Sequence, residues 1–236
     1  KINFGTRPAV VQDPVDRVAY HAVVNSVSLR VAGDLAPFVR GWRLSRSDPK
    51  PGIYLKNQQE WLEFIAARRA AAGQHDSVLA TDITNFFGSI RHEGLRELVA
   101  RRAGNTLPAN ALDAIVSTFN DLPDRSGIPQ RSVASSVLAN AFLGPVDDLL
   151  GRYADLHGAE VARWMDDVWV FGGGHAHLRC LQLDLQDELR NLGLEINLGK
   201  TTIREGDEVR ELVELNDLER DPPVQHAAAS GMPFVS

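Results

Sequence analysis

Acidic residues at the ends of apolar segments are the feature that most restricts how this chain can fold. Residues 77–83 (SVLATDI) have the composition of a buried strand and place Asp82 at its end. Residues 160–171 (EVARWMDDVWVF) have the pattern of two short strands joined by a turn that carries Asp166 and Asp167. Adjacent carboxylates between apolar strands repel each other unless a cation compensates them. The two segments therefore predict either a shared cation site or, for the Asp pair, an ordinary polar hairpin turn.

The first alternative has a definite chemistry. Mg²⁺ binds carboxylate oxygens together with substrate phosphates and keeps several of its waters. If the fold brings Asp82 beside Asp166, the pair can hold two ions roughly 3.5–4 Å apart, the separation that polymerase-type phosphoryl transfer uses. Proximity of these two carboxylates is therefore the first structural expectation.

The remaining periodicity predicts a mixed fold. Asp13 and Pro14 are typical of a helix start, and Asn57 with Glu60 has the spacing of a capping box. Helical patterns cover about 14–31, 57–73, 92–103, 108–120, 132–150 and 175–192, and short strands are expected at 194–197 and 201–204. Strands interleaved with helices of uneven length predict the α+β class.

Length and cysteine content exclude several other classes. A chain of 236 residues buries a sizeable core without staples, and a single cysteine, Cys180, excludes an internal disulfide framework or a cysteine-rich zinc site. No apolar run approaches the roughly 18–20 residues that span a bilayer. These features predict a cytoplasmic protein that does not act on a membrane.

Charge is distributed unevenly along the chain. The net charge is −6, but residues 1–131 carry 17 Lys and Arg against 13 Asp and Glu, and residues 132–236 carry 8 against 18. This asymmetry favours a basic face that meets a polyanion in the first part and a separate acidic role in the second. A chance gradient over a solvated surface remains the alternative.

Four segments, in order, resemble the motifs of one family. Residues 82–90 (DITNFFGSI) resemble the first palm motif of bacterial and group II intron reverse transcriptases, and residues 127–140 (GIPQRSVASSVLAN) resemble the second. Residues 163–167 (RWMDD) are similar to the aspartate-pair motif, and residues 192–201 (LGLEINLGKT) to the motif that follows. Any one match is weak, whereas the ordered set is specific.

The resemblance implies a right-hand polymerase fold of the α+β class, with an antiparallel palm sheet backed by helices and mainly helical fingers. It implies fingers at 1–76 and a palm at 77–205, with a helical, fingers-like insertion near 92–126. Residues 206–236 are acidic and lack a basic helix, so they are expected to be an extension toward a short or absent thumb. The similarity is weaker upstream, at 7–18 and 40–43.

The resemblance also implies a metal site. Two Mg²⁺ ions, with Mn²⁺ as a substitute, would be bridged by Asp82 and Asp166. Asp167 would assist, and the carbonyl of Ile83 would be a further ligand. The substrates would be a deoxynucleoside triphosphate, an RNA template and a DNA or RNA primer; a partner protein or a non-coding RNA is a further expectation.

Other positions match residues around the incoming nucleotide. Phe87 matches the aromatic gate that excludes a ribose 2′-hydroxyl, and one residue of the Phe86–Phe87 pair is expected to pack only in the core. Gln130 would border the nucleotide beside the template. Lys200 matches a lysine that protonates pyrophosphate, and Arg7 would contact the triphosphate as a bidentate ligand.

One departure from the family pattern leaves the activity open. Arg131 stands where the family normally has the glycine that follows the Pro-Gln pair, a position where the backbone approaches the nucleotide or template closely. Three interpretations remain: templated reverse transcription, template-independent or protein-primed synthesis of an antiviral-defence kind, and a catalytically inactive nucleic-acid-binding or assembly subunit.

Overall fold

The computed structural model describes residues 12–45, 47–48, 50–119 and 127–218. Arg7 lies outside this part of the chain. Within it the helices are α1 (Pro14–Ala32), α2 (Asn57–Gln74), α3 (Phe86–Ser89), α4 (His92–Ala103), α5 (Leu107–Phe119), α6 (Val133–Phe142), α7 (Gly144–His157), α8 (Gly174–Asn191) and α9 (Glu208–Leu218). The strands are β1 (Val39–Arg40), β2 (Ser77–Thr81), β3 (Glu160–Trp164), β4 (Asp167–Phe171) and β5 (Thr202–Glu205).

Helix α1 begins as predicted, whereas the predicted capping box of α2 is wrong. An Asp13 side-chain oxygen accepts a hydrogen bond from the backbone N–H of Val15 at 2.9 Å. At α2 the N-cap residue is Lys56, which makes no side-chain cap. Asn57 instead accepts from the N–H of Trp42 at 3.0 Å, and Glu60 pairs with Arg43 at 3.0 Å. Both side chains hold the segment 40–43, which we call the strap, in place of capping their own helix.

The single helix expected over 132–150 is in fact two helices. Helices α6 and α7 meet at Leu143 with a bend of 53°. Pro145 explains the break, because a proline lacks the N–H that the helix ladder needs and its ring clashes with the carbonyl four residues earlier.

Among the described residues, no single helix has the length and apolarity needed to cross a membrane, and α6 with α7 reaches those values only as this bent pair.

Five strands form one sheet in the order β1-β3-β4-β2-β5. The centre is antiparallel: β3 and β4 form a hairpin in which Trp164 pairs with Asp167, and β4 pairs with β2 up to the pair Thr81–Val168. Strand β1 adds in parallel to β3 and so attaches the strap to the sheet. The strand expected at 194–197 is reduced to one isolated bridge between Ile196 and Ile83.

Apolar side chains cover both faces of the sheet. On one face Leu79, Val168 and Val170 join the larger core, which includes residues of α1 and α4–α8. On the other face Trp169 and Phe171 join a smaller core with α2 and α9. The α+β class is therefore confirmed, and β2, β3 and β4 lie between two layers of helices. The boundary between fingers and palm at residue 76 stays a prediction. Helix α2 lies before that boundary, yet it packs on the sheet.

Candidate active site

Asp82 is held at the end of β2 by the segment that precedes Lys200. Its backbone carbonyl accepts from the N–H of Asn197 at 2.7 Å, and the N–H of Thr84 donates to the carbonyl of Glu195 at 2.8 Å. The Asp82 carboxylate accepts from the side-chain amide of Asn197 at 3.2 Å and from the ammonium of Lys200 at 2.9 Å. The fourth resembling segment therefore supplies the polar partners of the first.

Asp166 occupies the turn between β3 and β4. Met165 has a φ of 56°, in the left-handed region that residues other than glycine rarely adopt. This backbone conformation makes the two-residue turn possible. Because β4 pairs with β2 up to Val168 and Thr81, the turn lies at the same end of the sheet as Asp82. Two acidic residues that are 84 positions apart in sequence thus meet at one edge.

The electrostatics of Asp166 reflect its burial and its charged neighbours. Burial raises the pKa of the Asp166 carboxyl to about 6, and the negative charge of Asp82 is the second cause of that rise. The charge of Asp167 adds to it, whereas the ammonium of Lys200 opposes it. The ammonium of Lys200 thus partly neutralises the pair.

Asp167 has a different hydrogen-bond partner from this pair. It begins β4, its side chain is buried, and its Oδ1 accepts from the indole N–H of Trp169 at 3.0 Å on the face covered by α2. Arg68 of α2 lies over the Trp169 ring, 4.6 Å from the centroid. The structure therefore brings together Asp82, Asp166 and Lys200, and places the second carboxylate of the Asp pair against the smaller core.

The chemistry of Asp82 and Asp166 fits a hard divalent cation, because both side chains offer carboxylate oxygens as ligands. Burial and mutual repulsion of Asp82 and Asp166 leave an excess of negative charge that a divalent ion would remove. Over the described ranges no cluster of three or more His, Cys, Asp or Glu side chains is arranged for a metal ion. Few protein ligands suit Mg²⁺, which completes its shell with water and substrate phosphate. The Ile83 side chain is buried in the core beside the pair.

The first two resembling segments are joined through their backbones. The N–H of Ile128 donates to the carbonyl of Phe87 at 2.9 Å. Gly127 has a φ of 92°, and a Cβ built on it would lie 2.2 Å from that carbonyl oxygen. Only glycine permits this approach. The backbone bond therefore joins the segment of Phe87 to the segment of Gln130. Phe87 and Gln130 are both half-buried, whereas Phe86 is packed in the core.

Arg131 is exposed and has a φ of 57°. At this position the backbone turns through the left-handed region just before α6, which Ser132 caps, and glycine adopts that region without strain. A residue with a Cβ is strained in that region by roughly 1–2 kcal/mol. This chain tolerates the strain and gains an exposed cation at the start of α6.

Sequence reasoning missed a buried polar network beneath the Asp166 turn. Arg163, Asp147 and Asn140 are all buried, and Arg163 donates hydrogen bonds to both Asp147 and Asn140. A charged residue in the middle of an apolar strand, as Arg163 is in EVARW, was the available signal. Its partners lie on two other elements and are not adjacent in sequence.

Comparison with known proteins identifies the family. Residues 31–214 match the family described as "Reverse transcriptase (RNA-dependent DNA polymerase)". No individual curated protein matches the chain. Among solved structures it is similar to apo telomerase from Candida tropicalis, with 11% identity and a TM-score of 0.49, over 82% of this chain and 37% of that one. The form truncated from its C-terminal domain gives 11% identity and a TM-score of 0.47, over 82% and 40%.

The chain thus spans less than half the length of these two telomerase chains. The family match, in contrast, extends from the end of α1 to α9 and includes the whole sheet. All four resembling segments lie inside it, and the α+β architecture fits the right-hand polymerase fold. The chain therefore belongs to the reverse transcriptase family.

Proposed function

We propose that this chain is the polymerising part of an RNA-directed DNA polymerase, which adds deoxynucleotides to a DNA or RNA primer on an RNA template. The observation that carries this proposal is the meeting of Asp82 and Asp166 at one edge of the sheet. Burial first, and the negative charge of Asp82 second, raise the pKa of Asp166 to about 6, and this rise opposes folding of the metal-free chain. An arrangement of this kind is typical of a site that performs chemistry.

In this proposal Asp82 and Asp166 hold Mg²⁺, and Mn²⁺ can substitute for it. When bound, the metal neutralises charge on the triphosphate and favours ionisation of the primer 3′-hydroxyl. The Ile83 carbonyl and Asp167 are proposed as further ligands; Asp167 would have to exchange its hydrogen bond from Trp169. Arg7, outside the described residues, remains a proposed triphosphate ligand.

Lys200 has two successive roles in the proposal. Before substrate binds, its ammonium lies 2.9 Å from Asp82 and offsets the repulsion within the carboxylate pair. With a divalent ion held by Asp82 and Asp166, the exposed ammonium of Lys200 would be free to move to the leaving pyrophosphate and donate a proton there. Its long, flexible stem makes such a move possible.

Primer extension tests the proposed activity directly. The full chain, given Mg²⁺, a primed RNA template and all four deoxynucleotides, is expected to extend the primer with a product sequence that follows the template. EDTA should stop the extension. No incorporation on any primed template, from folded protein with Mg²⁺ or Mn²⁺, would contradict the proposal.

Replacing Phe87 by alanine is expected to relax the discrimination between deoxynucleotides and ribonucleotides. Phe87 is half-buried and its backbone is bonded to Ile128, in the segment that carries Gln130, so removing the ring is expected to open the proposed nucleotide site. The ratio of kcat/KM for a deoxynucleotide to that for the matching ribonucleotide should fall by about 10-fold or more. Single-nucleotide incorporation with both substrates measures the ratio.

The adjacent Phe86 provides a matched control. Its ring is 3% exposed and packs in the larger core, so Phe86→Leu should lower the melting temperature and leave the substrate ratio unchanged. If Phe87→Ala keeps the wild-type ratio, or if Phe86→Leu changes it equally, Phe87 is not the gate.

Arg131 is expected to lower the stability of the fold, through its left-handed backbone, and to raise the affinity for nucleic acid, through its charge. Arg131→Gly and Arg131→Ala both remove the charge, but only glycine relieves the left-handed strain, so the glycine variant should be more stable by about 1 kcal/mol. Both variants should bind a primer–template more weakly, and the slope of log affinity against log salt should decrease by about 1. Arg131→Lys should retain most of the wild-type slope. Equal slopes for all four proteins would show that Arg131 contacts no phosphate.

Arg131 also favours a second candidate function, template-independent or protein-primed synthesis by a bacterial antiviral-defence enzyme. A bulky cation where a template base approaches the backbone can obstruct templating. Incorporation that persists without any template, with a product sequence unrelated to added RNA, would support this alternative against the first. A prokaryotic origin, a protein or non-coding RNA partner and a cytoplasmic location belong to the same proposal. A catalytically inactive assembly subunit is disfavoured, since it would not need the repelling carboxylates.

A further inference from the structure

Arg163 is a fully buried cation near the end of β3, two residues before the Met165 that begins the turn. Its Nε and Nη2 donate to the two carboxylate oxygens of Asp147 on α7, at 2.6 and 2.7 Å. This bidentate pairing compensates the positive charge of the guanidinium. Two apolar residues could fill the same volume without the desolvation cost of a buried ion pair. Packing alone therefore does not explain a guanidinium at this position.

The remaining nitrogen reaches the turn that carries Asp166. Nη1 of Arg163 donates to the carbonyl of Met165 at 2.7 Å. That carbonyl belongs to the same planar peptide unit as the N–H of Asp166. Because Met165 is in the left-handed region, with a φ of 56°, the turn is strained and the buried hydrogen bond holds it in this conformation. The direction in which Asp166 leaves the backbone is thereby fixed.

The same nitrogen also connects the turn to the strap. Nη1 of Arg163 donates to Oδ1 of Asn140 on α6 at 3.1 Å, and the Asn140 side-chain amide donates to the carbonyl of Gly41 at 2.9 Å. Gly41 has a φ of 80°, and a Cβ there would lie 3.1 Å from the Trp164 ring. The strap thus lies directly against the catalytic hairpin, with Asn140 and Arg163 linking the two.

We propose that Arg163 is a positioning residue that fixes the Asp166 turn to α7 and, through Asn140, to the strap, so that the metal affinity of the carboxylate pair depends on this network. The inference rests on the proposed function only in taking Asp82 and Asp166 as the metal-holding pair. It assigns no contact with substrate to Arg163. Movement of the strap, which precedes α2, would be transmitted to the metal site by two side chains.

A lysine cannot replace the guanidinium in this network. Its single ammonium keeps a positive charge beside Asp147, but it cannot bond at once to two carboxylate oxygens, to Asn140 and to the Met165 carbonyl. Asn140→Leu is the complementary change, because it removes the link to the strap and leaves the Arg163–Asp147 pair and the bond to Met165 intact.

The test is Mn²⁺ binding to the full chain, followed by electron paramagnetic resonance without nucleotide. Residues that orient metal ligands typically change metal affinity by 10–100-fold when substituted. We expect Arg163→Lys to raise the Mn²⁺ dissociation constant by about 10-fold or more, and Asn140→Leu to raise it by about 3–10-fold. In primer extension both variants should lower kcat and require more Mg²⁺, while the KM for the deoxynucleotide changes less than about 2-fold.

Leu112→Ala is the control for a loss of stability alone. Leu112 is fully buried on α5, away from the hairpin, so this variant should melt at a lower temperature and bind Mn²⁺ as the wild type does. Folded Arg163→Lys and Asn140→Leu proteins with the wild-type dissociation constant would overturn the proposal. If Arg163→Lys does not fold, Asn140→Leu decides the question by the same criterion. If the wild type binds Mn²⁺ without incorporating nucleotide, the proposed function fails and Arg163 is still judged on Mn²⁺ affinity.

Discussion

Replacing Asp166 by asparagine is expected to reduce nucleotide incorporation by about 10³-fold or more and, at the same time, to stabilise the metal-free protein. The loss of activity follows from removing one of the two carboxylates that hold the metal, since residues that act as a unit in catalysis have effects of this size when removed singly. The gain in stability follows from removing a buried charge that Asp82 also repels. An amide has nearly the same shape as the carboxyl and carries no charge.

The pH dependence of this gain follows from the pKa of Asp166. Folding raises that pKa from 3.8 to about 6, so between these values the folded chain binds more protons than the unfolded chain. The wild type therefore loses stability as the pH rises through this window, and the whole loss is present above pH 6. A rise of about 2 pKa units corresponds to an upper bound of about 3 kcal/mol. We expect Asp166→Asn to be more stable by about 1–3 kcal/mol at pH 7.5 and to show little difference at pH 3.5.

Urea unfolding at several pH values, with EDTA present, measures this difference. Adding Mg²⁺ should stabilise the wild type and leave Asp166→Asn unchanged, because a ligand stabilises only the state that binds it. Asp184→Asn on the exposed surface of α8 is the matched control and should change neither stability nor activity. An Asp166→Asn protein that retains full incorporation, or one that is less stable than the wild type at pH 7.5, would contradict the assignment of Asp166.

The elements that the sequence predicts well are those with a strong local signal. Asp13 and Pro14 predict the start of α1, and apolar segments that end in acidic residues predict β2 and the β3–β4 hairpin. The expectation that Asp82 and Asp166 lie close together agrees with their electrostatic interaction, because antiparallel pairing of adjacent strands brings those ends to one edge. Their catalytic roles stay predictions.

Features that depend on distant partners could not be predicted from local pattern. Asn57 and Glu60 have capping-box spacing, yet their side chains bind Trp42 and Arg43 of the strap, which comes close to them only after folding. Asp167 follows Asp166 directly, but strand alternation turns it to the opposite face, where Trp169 donates to it. Local sequence therefore indicates which residues are chemically unusual, and tertiary packing decides which of them meet.

The backbone contact between the first two resembling segments leads to the second large effect. Gly127→Ala is expected to lower the free energy of unfolding by about 2–5 kcal/mol and to abolish incorporation. The new Cβ would lie 2.2 Å from the Phe87 carbonyl oxygen and 2.5 Å from the Gly88 Cα. Both are backbone atoms, so no rotation of a side chain can relieve the clash. The two segments must separate, which breaks the hydrogen bond from Ile128 to Phe87 and moves Phe87 relative to Gln130.

Gly158→Ala separates this clash from the general cost of a side chain at positive φ. Gly158 ends α7 with a φ of 60° and has no atom within 4 Å of the position that a Cβ would take. Alanine there should cost only about 1 kcal/mol and leave incorporation unchanged. Urea unfolding and primer extension on both variants give the comparison. If Gly127→Ala loses no more stability than Gly158→Ala, the two segments are not held at the distance that the structure gives them. If it loses stability but keeps wild-type incorporation, the contact serves the fold and not the nucleotide site.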